Sequence, residues 1–84
     1  MVYGYEELLP RVKTVIPGTD YQLFLTFSNG EKKVFDVRPL LDVPVYKSLI
    51  NNFSLAQAGY GTVIWPGDID ISPETLYLKS NPVN

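Results

Sequence analysis

Three carboxylates near the end of the chain, Asp68, Asp70 and Glu74, are the residues whose spacing could do chemistry. On a strand, Asp68 and Asp70 point the same way, and Glu74 in the next helical turn could converge with them. Hard cations such as Mg²⁺ or Ca²⁺ take oxygen ligands of this kind. The stretch is nevertheless no calcium loop, because Ile69 and Ile71 fill its small flexible positions and Pro73 stands where a glycine is needed. The plainer reading gives each carboxylate a structural role. Asp68 makes a turn, Asp70 solvates a strand, and Glu74 favours the positive end of a helix.

Aromatic residues are the second group. Trp65-Pro66 ends an apolar run, and an exposed tryptophan is a good anchor for a partner. A tryptophan at the end of such a run also serves as a core or rim residue. Among the six tyrosines, Tyr21 and Tyr77 are expected to plug the edge of the core. Tyr3, Tyr5, Tyr46 and Tyr60 remain as surface candidates, and Trp65, Tyr46 and Tyr60 are the expected partner-binding anchors. Asp36 and Arg38 could form an ion pair at a helix start, worth little at a surface. Lys32-Lys33 could touch a small anion, or act as a solvated edge that discourages aggregation.

Catalytic machinery is sparse. There is no Cys and no His, which removes disulfides, zinc–thiolate sites and the commonest general base. Neither Ser-x-x-Lys nor Gly-x-Ser-x-Gly occurs. Gly59-Tyr60-Gly61 lacks the third glycine and the preceding strand of a dinucleotide loop. No enzyme activity and no cofactor is expected, although carboxylates alone could in principle serve.

The elements that position these residues are short. Eighty-four residues correspond to one domain, its core at about residues 10–78. A chain of this size is marginally stable or helped by self-association. A hydrophobic fraction of 45% and only 19% charged residues describe a folded chain. Seven Pro and six Gly favour short elements. A net charge of −2 and a pI near 4.8, with scattered basic residues, argue against direct nucleic-acid binding and suit a basic partner. No apolar run reaches membrane-spanning length and no signal peptide opens the chain, so a cytoplasmic location is expected.

Glu6-Glu7-Leu8-Leu9 reads as a helical turn stopped by Pro10. Arg11 to Ile16 reads as a strand with Val12, Thr14 and Ile16 on one side. Pro17-Gly18-Thr19-Asp20 is a turn. Tyr21, Leu23, Leu25 and Phe27 share a face of the next strand, and Glu31 to Val37 returns. A two-residue Asn-Gly turn would mix polar and apolar faces. A three-residue loop over Ser28-Asn29-Gly30 pairs Tyr21 with Val37, Leu23 with Phe35, Gln22 with Asp36 and Thr26 with Lys32, which keeps one face apolar. A type I turn with left-handed Gly30 in a bulge is expected.

Pro39 opens a short helix with Leu40 and Leu41 tucked inward. Val45 to Ile50 reads as a second, interrupted at Asn51-Asn52. Phe53 to Ala58 reads as a third, with Asn52 or Ser54 as cap and Gly59 as stop. Thr62-Val63-Ile64-Trp65 is a strand, and Ile69 to Ile71 a brief one. Ser72-Pro73-Glu74 starts a helix docked by Leu76 and Tyr77, and Asn81-Pro82-Val83-Asn84 frays. The expected class is α+β: a small antiparallel sheet of about four to five short strands with short helices packed on one face.

Three blocks carry a resemblance. They are Asp20-Tyr21 with Leu23 to Glu31; Val34-Phe35-Asp36-Val37 with Pro39-Leu40-Leu41; and Gly61 to Pro66 followed by Asp70 to Tyr77. Together they resemble domain-of-unknown-function family 2442, a small bacterial family, over about residues 10–78. The third block is the most specific. The chain departs just after Pro66, where many relatives carry Asn-Gly-Ala and this one has Gly67-Asp68-Ile69. The resemblance implies a compact α+β fold and no known activity. Some relatives carry an added helix-turn-helix domain, suggesting an accessory role in transcription regulation; this chain, ending at Asn84, is expected to lack one. Stand-alone relatives often lie beside a gene for another small protein, an arrangement that looks like a toxin–antitoxin pair. The expectation is a non-catalytic protein-interaction module with a protein partner and possible self-association; a small-ligand or divalent-cation sensor at Asp68, Asp70 and Glu74 is the alternative.

Overall fold

A computed structural model describes residues 9–83. The turn read at Glu6-Glu7-Leu8-Leu9 falls outside them but for its last residue, and Tyr3, Tyr5 and Asn84 lie outside them too. The described strands form two antiparallel sheets. Strands β1 (Val12–Pro17), β2 (Gln22–Phe27), β3 (Lys32–Asp36) and β7 (Asn81–Pro82) lie side by side in that order. Strands β4 (Gln57–Gly59), β5 (Thr62–Trp65) and β6 (Ile69–Ile71) make the second sheet. The helices are α1 (Leu49–Asn52) and α2 (Pro73–Lys79), with 3₁₀ turns at Thr19–Tyr21, Arg38–Leu40, Pro44–Tyr46 and Phe53–Leu55. The class is α+β, its strands divided between two small sheets.

The β2–β3 hairpin has the register that parity demands: Gln22 faces Asp36, Leu23 faces Phe35 and Thr26 faces Lys32. The Val37 amide donates to the Tyr21 carbonyl at 2.9 Å, extending the ladder. Gly30 closes the three-residue loop at φ 89°, a conformation glycine adopts without steric cost. Leu23, Leu25 and Phe27 are buried and Phe24 points outward.

Strand β1 departs from simple alternation. Val12 faces Phe27 but Thr14 faces Thr26, so a bulge lies between them. An extra residue reverses the sides beyond it. Val12 is buried while Ile16, expected on the same side, is 65% exposed.

Other boundaries differ too. Asn51 and Asn52 end α1 rather than interrupt a helix, and neither Ser48 nor Asn52 makes a side-chain cap bond. The helical piece expected over Phe53 to Ala58 stops at Leu55, and Gln57–Gly59 is a strand. Ser72 precedes α2 with Pro73 at its first position, but its hydroxyl makes no cap bond. Asn81–Pro82 pairs with β3 instead of fraying; an edge strand tolerates proline because one side of its backbone needs no partner.

The two sheets share one core. It includes Leu23, Leu25, Phe27 and Val37 from the first sheet region, Val63, Trp65 and Ile71 from the second, Leu49, Phe53 and Leu76. Phe53 joins them: its ring meets Tyr21 edge-on at 5.2 Å and lies 6.3 Å from Trp65. Among the described residues no helix is long and apolar enough to cross a membrane.

Candidate functional site

The β4–β5–β6 sheet gathers most of the candidate residues. Its first turn is tight. Gly59 faces Thr62, so Tyr60-Gly61 is a two-residue loop, and both residues have positive φ, 53° and 78°. That is the type I′ arrangement, which matches strand twist and prefers Asn-Gly. Gly61 meets the requirement, and a Cβ there would collide with the Arg11 guanidinium. Tyr60 does not, since a bulky left-handed residue is strained. The residue is 91% exposed. Arg11 steadies the turn by donating from its guanidinium to the Tyr60 carbonyl at 3.0 Å, and the Val12 amide donates to the Gly61 carbonyl.

At the other end of β5, a cleft of about 350 Å³ is lined by Leu55, Gln57, Ile64, Trp65, Pro66, Gly67 and Asp68. Trp65 is a core residue, only 3% exposed, and its indole Nε1 donates to the Phe53 carbonyl at 3.1 Å. It touches the cleft but presents too little surface to anchor a partner, because its alternating position on β5 points the ring inward. Leu55 is exposed at the cleft edge. Gly67 (φ 89°) and Asp68 (φ 61°) turn the chain between β5 and β6.

Tyr46, the third expected anchor, is half-buried. Its hydroxyl donates to the Asp70 carbonyl at 3.0 Å, bracing the Pro44–Tyr46 turn against β6. Of the three aromatic candidates, Tyr60 alone displays its ring.

The acidic group does not assemble. Among the described residues no cluster of three or more His, Cys, Asp or Glu could hold a metal ion. Asp68 lies in the loop before β6, so the two-residue period that would align it with Asp70 does not apply. Glu74 leaves with α2. Asp70 faces Ile64, which faces Gln57, on the open side of the sheet.

The Asp36–Arg38 ion pair forms at 2.9 Å, and Asp36 also accepts the Arg38 amide. The Arg38 guanidinium bonds lower the Asp36 pKa from its ordinary value. One network has no signature in the sequence. Tyr77 on α2 donates its hydroxyl to Glu31, which also accepts from Asn29. The phenol bond is the main reason that the Glu31 carboxyl titrates low, and the same bond raises the Tyr77 phenol. Lys33 Nζ sits 3.9 Å over the Tyr77 ring and donates to the Tyr77 carbonyl at 2.9 Å. Lys33 is therefore a clasp on the last turn of α2, where a cation is favoured. Only the adjacency of two lysines is visible in the sequence; the partners are more than forty residues away.

A family profile described as "protein of unknown function (DUF2442)" matches residues 12–82. The chain belongs to that family. No curated protein and no solved structure matches it.

Proposed function

We propose that this member of an uncharacterised family is a non-catalytic protein-interaction module, the binding half of a toxin–antitoxin-like pair. One observation carries the reading: Tyr60 is almost wholly exposed in a left-handed turn position that favours asparagine or glycine. The turn explains the backbone, and a tyrosine in place of asparagine or glycine there, with its ring outside the core, supports contact with a partner. Tyrosine is a rigid, amphipathic contact residue and a frequent binding hot spot.

The partner segment lies along the open side of the β4–β5–β6 sheet. It covers Tyr60 at one end, crosses Ile64, and places an apolar side chain in the cleft beside Leu55 and Pro66. Asp68 at the cleft and Asp70 on the same open side call for a basic segment, in keeping with the net charge of −2. Binding of this kind needs no proton transfer and no metal.

Co-expression with the product of the adjacent gene tests the reading. The two proteins are expected to co-purify. Tyr60→Asn is expected to weaken the complex about tenfold or more, the loss typical of a removed hot spot, and Leu55→Asp to weaken it as well. Unchanged affinity in both variants, or no complex at all, would overturn the assignment.

A further inference from the structure

We infer that the outer face of the β1–β2–β3 sheet is a self-association surface, with two copies packed face to face about a two-fold axis that runs across the strands. It uses none of the residues assigned to the partner seat and stands or falls independently of that assignment.

The face is built from three cross-strand rows. Ile16, Phe24 and Val34 lie side by side in the middle row. Thr14, Thr26 and Lys32 form the row on one flank, and Gln22 and Asp36 the row on the other. The middle row is apolar, with Ile16 and Phe24 (42%) exposed. No helix of the described chain shields it. The Phe24 ring also rests against the backbone of the preceding turn. It lies over Gly18, where an added Cβ would stand 2.6 Å from the ring. An aromatic side chain has only two rotatable bonds and loses little freedom on binding.

Charge selects the occupant. The two flanking rows carry opposite signs, Lys32 on one and Asp36 on the other. A two-fold axis across the strands reverses strand direction and leaves β3 over β3. Lys32 of each copy then meets Asp36 of the other, twice, while Phe24 meets Phe24 in the centre. A two-fold axis along the strands would set Lys32 over Thr14 and leave both charges unmatched. Stacked sheets cross at about 30°, and the long lysine stem absorbs the resulting offset. Asp36 already accepts from Arg38, so the exposed intermolecular pairs set register and orientation more than strength.

The size of the face fixes the strength. Three strands about 4.8 Å apart, with about five residues of about 3.3 Å each, make a patch of about 15 by 17 Å. Two such patches bury less than the roughly 1,200 Å² of a standard stable complex. The dimer is accordingly transient and appears at high concentration.

Sedimentation equilibrium of the full chain up to millimolar concentration tests this. The wild type is expected to rise from the mass of one chain toward two, and Phe24→Asp to remain at one. Lys32→Glu and Asp36→Lys should each associate about tenfold more weakly or worse, because each sets like charges together. An equimolar mixture of those two should regain association, since each mismatched contact becomes a matched one; misfolding of a variant cannot produce that gain. Amide spectra verify that each variant is folded. A wild type that stays monomeric at millimolar concentration overturns the inference. So does a Phe24→Asp variant that associates as the wild type does, or a mixture of folded charge variants that associates no better than either alone.

Discussion

Tyr60 and Tyr77 are both tyrosines at turns or ends of elements, yet the chain uses them in opposite ways. Tyr60 spends backbone strain to stand in solvent. Replacing it with asparagine, which tolerates positive φ, should stabilise the chain by about 0.5–1 kcal/mol in urea unfolding. A fall in stability would mean that the ring makes contacts that exposure conceals. Tyr77 instead packs its ring edge-on against Phe27 at 5.0 Å and ties Glu31 to α2. The Glu31 carboxyl has a folded pKa below that of the unfolded chain, so this stabilisation is full above the unfolded value and is lost as pH falls through the folded one. The Tyr77 phenol has a raised pKa, so its share is full below the unfolded value and is lost as pH rises through the folded one. Glu31 is exposed and Tyr77 only half-buried, which keeps the energy small; the titrations are the sharper readout. In Tyr77→Phe, the Glu31 carboxyl resonance should titrate at higher pH than in the wild type. In Glu31→Gln, the Tyr77 phenol should titrate lower. A Glu31 titration untouched by the loss of the phenol would show that the bond does not persist in solution.

Elements are legible in the sequence where a period and a turn agree. The β2–β3 register follows from parity because slipping by one residue would turn Phe35 outward and Asp36 inward. Ile16 lies on the unexpected side because a single bulge in β1 leaves no composition signature. Strand β4 is invisible in the sequence because Gln57-Ala58-Gly59 has no apolar alternation; β5 supplies its hydrogen-bonding edge. The paired end at Asn81-Pro82 is unreadable for a similar reason, since pairing with β3 is a long-range fact. At the candidate site, Tyr60 can be named from its type but not its strain, and Asp68 looks strand-like although a loop takes it. Trp65 shows the limit most plainly, because residue type alone cannot say which side of β5 it occupies. Its buried place gives a clear expectation. Trp65→Ala should cost about 3–5 kcal/mol, the range for removing a large aromatic from a core, and would unfold much of so small a protein. As the single tryptophan, Trp65 should also emit at short wavelength in the native state and shift to longer wavelength on unfolding. Native emission at the wavelength of a solvated indole would contradict the packing described.

At the scale of the molecule, two small sheets share one core through Phe53, and the first leaves an apolar row open on its outer face. A chain of 84 residues buries a limited share of its surface, so its free energy of folding is small and responds visibly to association. If the outer face of β1–β2–β3 pairs two copies, the folded state is favoured by mass action and the unfolded state is not. Each tenfold rise in concentration above the dissociation constant then adds about 1.4 kcal/mol per dimer, or about 0.7 kcal/mol per chain. For a domain of this length, 1 kcal/mol moves the midpoint by about 4–8 °C. The melting temperature should therefore climb by about 3–6 °C per decade of concentration once dimers dominate. Phe24→Asp should melt at a temperature independent of concentration, whatever its own stability, because the slope and not the midpoint reports association. A wild-type slope of zero across the same range would make each chain self-sufficient, and the exposure of Ile16 and Phe24 would then need another explanation.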